Sequence, residues 1–213
     1  DHRDLHSFPT RRSSDLLLAQ HLQAAANHQH PAFCALDFYS SVDGFGIQDD
    51  GLDIQSFITA AAYYQPDDGS RNYSLNLVLD EKKTRQDWLG EIMACCRSYP
   101  TYQRGLHGIL VDKPEPVSQV FTVLPTDEIE VWPLELNEML ERIIIKYPDP
   151  EYEWTRVGAP ATITTPFRHA NKPLEKTIEI NGVTNFDQAS RLAWFHLNQA
   201  QTCKTWIRFK TNK

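Results

Sequence analysis

The order of the helix and strand signals is the feature that most restricts the fold of this chain. Capped amphipathic helices are interleaved with short strand-like segments bounded by proline and glycine. The steady strand–helix–strand rhythm of a doubly wound parallel sheet does not occur. This order predicts an α+β fold with mixed, mostly antiparallel sheets and interleaved helices. The 213 residues are enough for one good core or two small ones.

Helix starts are marked by polar capping residues. The predicted pairs of cap and helix are Asp53 with 54–64, Thr84 with 85–97, and Asn185 with 186–201. Asp87 follows Thr84 by three residues and completes a capping-box pattern. A stretch rich in leucine and alanine predicts a further short helix over 17–27, and His30-Pro31 marks a boundary.

Apolar runs between turn residues predict the strands. They are 72–79, 99–102 paired with 109–111, 117–123, 142–147, a return strand over 152–157, 177–180 and 205–210. Residues 43–46 and 66–70 are predicted to be turns, because glycine, proline and aspartate are concentrated there. Three prolines predict a loop over 158–173.

Residues 1–16 are unlike the rest of the chain. They begin without methionine, are rich in arginine and serine, and follow neither a helical nor a strand period. Their codons can be written as a string that resembles a short-read sequencing adapter. We therefore expect 1–16 to be an assembly artefact, followed by a helical N-terminal part over 17–70 and an α+β part over 71–213. We also expect the natural protein to continue beyond both ends.

Composition excludes several classes of protein. The net charge of −7 disfavours nucleic acid as a sequence-specific partner, because phosphate binding needs clustered positive charge. No run of 18 apolar residues predicts a membrane-spanning segment. The four cysteines are too few and too irregularly spaced for a disulfide scaffold.

Candidate reactive residues have simpler structural interpretations. Cys95 and Cys96 are adjacent on an apolar helix face, so they cannot chelate a metal as a C-x-x-C pair does, and we expect buried, inert thiols. His28 and His30 would share a face if extended, but no further ligand is near in sequence. His196 lies on the apolar stripe of the last helix and is predicted to be a core histidine. Carboxylates are numerous but fall mostly in turns.

Nucleotide-binding and hydrolase signatures are missing from the sequence. It contains no P-loop, no G-x-G-x-x-G, no G-x-S-x-G and no H-E-x-x-H. The five tryptophans are scattered along the chain. We therefore predict no enzymatic activity and no catalytic, cofactor-binding or metal-binding residues.

Segments in a characteristic order connect the chain to a known family. They are 30–32 (HPA), 44–46 (GFG), 52–54 (LDI), 71–80 (RNYSLNLVLD), 142–147 (RIIIKY), 148–150 (PDP), 187–193 (DQASRLA) and 206–209 (WIRF). In this order they resemble the central region of the phage tail tip attachment proteins, the host-specificity protein J family, over about residues 27–211. The chain departs from the family at His30 and Arg142, where asparagine is more usual.

The resemblance implies a baseplate-hub-like fold and a structural role in a virion made in the host cytoplasm. Such a protein closes the tail tube, usually as a homotrimer, contacts other tail-tip and tail-tube proteins, and relays host attachment to DNA ejection. Receptor binding would belong to regions outside this chain. We also expect a hub subunit to expose apolar surface when it is alone.

Three further hypotheses stay open at this point. The acidic run over 127–141 could face a channel or a neighbouring subunit, where negative charge would repel DNA phosphates; its members are Asp127, Glu128, Glu130, Glu135, Glu138 and Glu141. A tail-associated peptidoglycan hydrolase would need a cleft with convergent carboxyls, a metal cluster or a thiol–imidazole pair. A module that binds host-surface carbohydrate would expose aromatic residues on one face, and burial of Trp88 and Trp206 would count against it.

Overall fold

A computed structural model describes residues 29–65, 72–116, 129–133, 139–163 and 172–209. In these ranges the helices are α1 (Pro31–Ser40), α2 (Ile54–Tyr64), α3 (Arg85–Ala94) and α4 (Phe186–Thr202). The strands are β1 (Ser98–Gln103), β2 (Leu106–Val111), β3 (Ile129–Pro133), β4 (Arg142–Asp149), β5 (Thr155–Thr162), β6 (Glu175–Glu179) and β7 (Thr205–Phe209). The described strands form four pairings, three antiparallel and one parallel. Together with the four helices, these mixed sheets confirm the predicted α+β class.

The chain divides into two compact units, Asp1–Val111 and Asp112–Lys213. The sequence analysis places the division after residue 70. In the structure the division falls after Val111, which places residues 71–111 in the first unit. None of the helices among the described residues has the length and apolar character needed to cross a membrane.

The first unit packs three helices and a hairpin around aromatic side chains. Helix α1 contacts α2 and α3, and the β1–β2 hairpin packs on both α2 and α3. Tyr39, Phe57 and Tyr64 are buried among them. The rings of Tyr39 and Phe57 meet edge to face at 5.8 Å, a favourable arrangement for aromatic pairs. These contacts close the core of the first unit from solvent.

The caps of the first unit lie where the sequence predicts them. The Asp53 carboxylate accepts a hydrogen bond from the Ser56 amide at the start of α2. Thr84 and Asp87 form the reciprocal capping box of α3. Helix α3 ends at Ala94, three residues before the predicted end, because the chain turns over the next residues and reaches a left-handed φ of 55° at Arg97.

Two elements of the first unit differ from the sequence analysis. Helix α1 was not predicted, because the segment is apolar on all sides and shows no helical stripe. The predicted strand over 72–79 forms no strand ladder with any described residue. Its backbone donates hydrogen bonds from the Asn72 amide to the Tyr64 carbonyl at 2.9 Å and from the Leu75 amide to the Gln29 carbonyl at 2.8 Å, and the Tyr73 and Leu75 side chains are buried. Burial does not follow the alternating pattern either, because Ser74 is buried between Tyr73 and Leu75 while Leu79 is 50% exposed.

The second unit contains a three-stranded sheet of order β5-β4-β6, which is covered by helix α4. Strand β4 pairs antiparallel with β5 and parallel with β6. The return strand predicted over 152–157 begins at Thr155 and continues to Thr162, so the predicted loop is wrong over 158–162. Pro160 is accommodated because β5 is an edge strand, where a missing amide hydrogen costs little.

Strands β3 and β7 form a separate antiparallel ribbon in the second unit. The register runs from Ile129 opposite Phe209 to Pro133 opposite Thr205. The closing strand predicted over 205–210 is therefore confirmed for 205–209. The helix predicted over 17–27, the strand over 117–123 and the loop over 66–70 lie outside the described residues.

Candidate functional site

A pocket of about 480 Å³ in the second unit is the candidate site. Its apolar part is formed by Ile143 of β4 and Ile178 of β6, together with Ala200 of α4. Its polar part includes Lys176 and Gln199. The remaining lining residues of the described chain are Leu140, His196, Cys203, Thr205 and Trp206. The volume lies within the range of about 300–1,000 Å³ that is common for small-molecule sites.

Strand register and helix periodicity bring these residues together. In the parallel pairing Ile143 lies opposite Lys176, and Ile145 lies opposite Ile178. Because side chains alternate across a strand, Lys176 and Ile178 share one face of β6. On α4, His196, Gln199 and Ala200 follow the helical repeat of three and four residues, so they share one stripe. The Asn185 cap fixes where that stripe begins, because its side chain accepts a hydrogen bond from the Gln188 amide at 2.8 Å.

His196 and Cys203 line the same pocket, although the sequence predicts His196 in the core. His196 is only half-buried; Leu197 and Gln188 fill the core positions next to Leu192. His196 and Cys203 are seven residues apart, which places them about 10 Å apart along the helix axis. That spacing does not favour a direct hydrogen bond between imidazole and thiol. The described lining of the pocket contains no carboxylate.

The β3–β7 ribbon has two chemically different faces. The tryptophan face carries Trp132 opposite Trp206, and Glu130 opposite Arg208. The Arg208 guanidinium lies 5.3 Å from the centre of the Trp132 ring, and one of its Nη atoms lies 3.1 Å from a Glu130 carboxylate oxygen. Trp206 also lines the pocket. The tryptophan face and the pocket are therefore neighbouring parts of one surface.

The opposite face of the ribbon is aliphatic. Ile129, Val131 and Ile207 share it by strand alternation, and they are 45%, 61% and 60% exposed. We call these three residues the aliphatic face. These three side chains give the ribbon an exposed apolar face among the described residues.

Tryptophan burial differs between the two units. Trp88, in the first unit, is 7% exposed. The other four tryptophans lie in the second unit and are 38% to 63% exposed: Trp132, Trp154, Trp194 and Trp206. Burial of both Trp88 and Trp206 would count against a carbohydrate-binding module. Trp88 is buried but Trp206 is exposed, so the structure meets only half of that condition.

Cys95 and Cys96 are buried, as predicted from their apolar helix face. Burial raises the pKa of the Cys96 thiol to about 11, so the reactive thiolate is scarce at neutral pH. Tyr64 bonds to the Ser98 hydroxyl beside Cys96, and burial, with the Cys96 side chain as a second cause, raises the pKa of Tyr64. These groups belong to the packed interior and not to an accessible site.

His30 is buried, and its ring lies 4.7 Å from the ring of Phe33. Its predicted companion His28 lies outside the described residues. Within the described ranges no three histidine, cysteine, aspartate or glutamate side chains gather in a way that could hold a metal ion.

Glu141 corrects the interpretation of the acidic run. It is buried, and one of its carboxylate oxygens accepts a hydrogen bond from the Leu174 amide at 3.0 Å. Glu141 therefore faces neither solvent nor a channel; it joins the segment before β6 to the start of β4. Glu130 is exposed and paired with Arg208. The other four members, Asp127, Glu128, Glu135 and Glu138, lie outside the described residues.

No protein-family model matches the chain, and no curated protein matches it. The resemblance to phage tail tip proteins stays a prediction from the order of segments in the sequence. The candidate site stands on its own geometry: an open pocket bordered by an exposed tryptophan, next to a ribbon with an uncovered aliphatic face.

Proposed function

We propose that this chain is a structural component of a phage or prophage tail tip, a hub-like subunit that closes the tail tube and relays host attachment to DNA ejection. The aliphatic face of the β3–β7 ribbon is the observation that carries the proposal. Apolar faces of this kind mark surfaces where another protein binds. A role in assembly uses such a face directly and needs no reactive group.

The ribbon also has an energetic reason to bind a partner. Two-stranded ribbons are at best marginally stable in water when they stand alone. A neighbouring subunit that covers Ile129, Val131 and Ile207 would remove apolar area from water, at about 25 cal/mol for each Å². In a closed ring each subunit would gain this contribution, which fits the homotrimer that the family resemblance implies.

Sedimentation of the chain at increasing concentration tests the assembly. We expect the mass to rise from 24.5 kDa towards three times that value. Ile207→Lys places a charge on the aliphatic face and should leave the chain monomeric. The matched control is Val42→Lys, at an exposed position of the first unit, which should assemble like the original chain. A chain that stays monomeric at high concentration, or equal assembly of the two variants, contradicts the proposal.

The coding sequence on either side of this chain tests the tail-tip assignment itself. Neighbouring genes for tail-tube or tape-measure proteins would support it, and neighbours unrelated to tails would count against it. The competing hydrolase hypothesis is tested by incubation with purified peptidoglycan. Release of soluble fragments would favour the hydrolase over the structural role.

A further inference from the structure

We infer that the pocket lined by Trp206 binds an acidic saccharide, a sugar ring that carries a carboxylate. The inference goes beyond the tail-tip proposal and does not depend on it, because it uses the pocket and the tryptophan face and not the aliphatic face. Three observations carry it: an exposed aromatic wall, a lysine that neighbouring acids do not neutralise, and a set of neutral hydrogen-bonding side chains.

The aromatic wall is Trp206. It is 58% exposed although large aromatic side chains are usually well buried, and it stands opposite Trp132 across the ribbon. An indole ring offers a broad apolar surface with a polar N–H at its edge. A pyranose ring has an apolar face of C–H groups and a rim of hydroxyls. The two shapes match when the sugar lies flat on the indole.

The described lining of the pocket carries a positive formal charge. Lys176 is the charged residue in its described lining, and no described residue forms an ion pair with it. Its neighbour Glu175 is on the opposite face of β6 and lies 3.3 Å from Arg142. Glu130 and Glu179 are each paired with an arginine, and the buried Glu141 carboxylate accepts a hydrogen bond from the Leu174 amide. Lys176 is therefore available to a bound anion in a chain whose net charge is −7.

Neutral polar side chains complete the site. Gln199 supplies an amide with donors and an acceptor, and Thr205 supplies a hydroxyl. These groups suit the ring hydroxyls of a sugar, which both donate and accept. Gln199, Thr205 and Trp206 are exposed, so the pocket is open to solvent. A fatty acid would favour an enclosed apolar tunnel; an open pocket with one aromatic wall favours a polar ring.

Titration of the full chain with glucuronate tests the inference, with tryptophan fluorescence as the signal. We expect a saturable change with glucuronate, and at least tenfold weaker binding of glucose, which lacks the carboxylate. Acetate has the carboxylate without the ring and should give no saturable change. No response to glucuronate overturns the inference, and so does an equal response to glucose or acetate.

Variants locate the site. Lys176→Gln should weaken glucuronate binding at least tenfold and leave glucose binding unchanged. Trp206→Ala should abolish binding of both sugars, measured by titration calorimetry because this variant lacks the reporting indole. The matched control is Trp154→Ala, which removes an equally exposed tryptophan that does not line the pocket. Circular dichroism checks that each variant is folded. Loss of binding in the Trp154 variant, or full binding in the Lys176 variant, contradicts the assignment. Because Ile207 does not line the pocket, failure of glucuronate binding is distinguishable from failure of the assembly proposal.

Discussion

The described part of the chain contains two two-stranded antiparallel ribbons of similar length that differ in what covers them. The β1–β2 hairpin of the first unit buries Ser98, Ile109 and Val111 against helices. The β3–β7 ribbon of the second unit leaves its aliphatic face and both of its tryptophans exposed. The hairpin therefore closes a core with some residues while Tyr99, Tyr102 and Leu110 stay exposed, whereas the described side chains of the ribbon are all exposed. Strand pairing alone does not determine whether a ribbon is buried or exposed. The elements that pack against the ribbon determine it.

Chain connection explains part of the difference. The hairpin is closed by a two-residue turn, Arg104 and Gly105, which both have the positive φ of a type I′ turn. The ribbon joins Ile129 to Phe209, which are distant in sequence, so forming it costs more loop-closure entropy. The ribbon therefore depends more on contacts beyond its own strands, and a partner subunit would provide them.

Alkaline pH should affect the unit with the hairpin first and most strongly. Burial raises the pKa of Cys96 from 9.0 to about 11 and that of Tyr39 from 10.0 to about 12, and it also raises that of Tyr64. The folded state therefore holds these protons more tightly, so their stabilisation is complete below pH 9 and is lost as pH rises through 11 and 12. Each pKa unit between the folded and the unfolded state is worth about 1.4 kcal/mol of folding free energy, so the shifts of these groups together reach several kcal/mol. In the second unit, Tyr147 carries such a shift, to about 12.

Urea unfolding of fluorotryptophan-labelled chain, followed by fluorine NMR between about pH 8 and pH 12, measures this. The Trp88 resonance should report unfolding of the first unit before the resonances of the second unit change. The reverse order would contradict the difference between the two units.

Removal of one isoleucine side chain from each ribbon compares their burial directly. Ile109→Ala empties a buried position and should lower the free energy of unfolding by about 2–5 kcal/mol. Ile207→Ala removes exposed atoms and should change it by less than about 0.5 kcal/mol in dilute, monomeric chain. Urea denaturation of both variants gives the two values. Equal losses would show that the aliphatic face is covered within the monomer.

Gly108→Ala tests how closely the hairpin approaches α2. A Cβ atom at Gly108 would lie 2.6 Å from the Ser56 hydroxyl oxygen, which also accepts a hydrogen bond from the Ile109 amide. We expect a loss of about 1–3 kcal/mol in the free energy of unfolding. Gly90→Ala is the matched control, because nothing lies within 4 Å of its added Cβ and alanine favours the helix by about 1 kcal/mol. Destabilisation by Gly90→Ala, or stabilisation by Gly108→Ala, would contradict the packing described for the hairpin.

The Glu130–Arg208 pair should have the smallest effect. Both side chains are largely exposed, so the pair contributes about 0–1 kcal/mol to stability. A double-mutant cycle with Glu130→Gln and Arg208→Gln, measured by thermal unfolding, gives the coupling energy. A coupling above about 2 kcal/mol would mean that this edge of the ribbon is buried in solution.

Local signals predicted the elements that they control. The caps Asp53, Thr84 and Asn185 each fix a helix start, because a side chain meets an amide two or three residues ahead. Helix α1 carries one such signal, Pro31 at its first position, but its apolar residues face all sides and hide the helical period. The segment over 72–79 has a strand-like period without a partner strand, and a period cannot show whether a partner is present.

The candidate site was not predictable in this way. Its residues come from β4, β6, α4 and β7, and no short spacing joins Ile143 or Lys176 to Trp206. The pocket exists because a parallel strand pairing and a helix stripe meet, and neither contact is local. The sequence did single out His196 and Trp206 as residues whose burial would matter, and both line the pocket.

Hydrogen–deuterium exchange at two protein concentrations tests the central claim, that the hairpin is complete within one chain and the ribbon is completed by another. Peptides covering 129–133 and 205–209 should exchange more slowly at high concentration, while peptides covering 98–111 should exchange at the same rate at both. Ile207→Lys should remove the concentration dependence. Ribbon amides that exchange at one rate across the whole concentration range would contradict the claim.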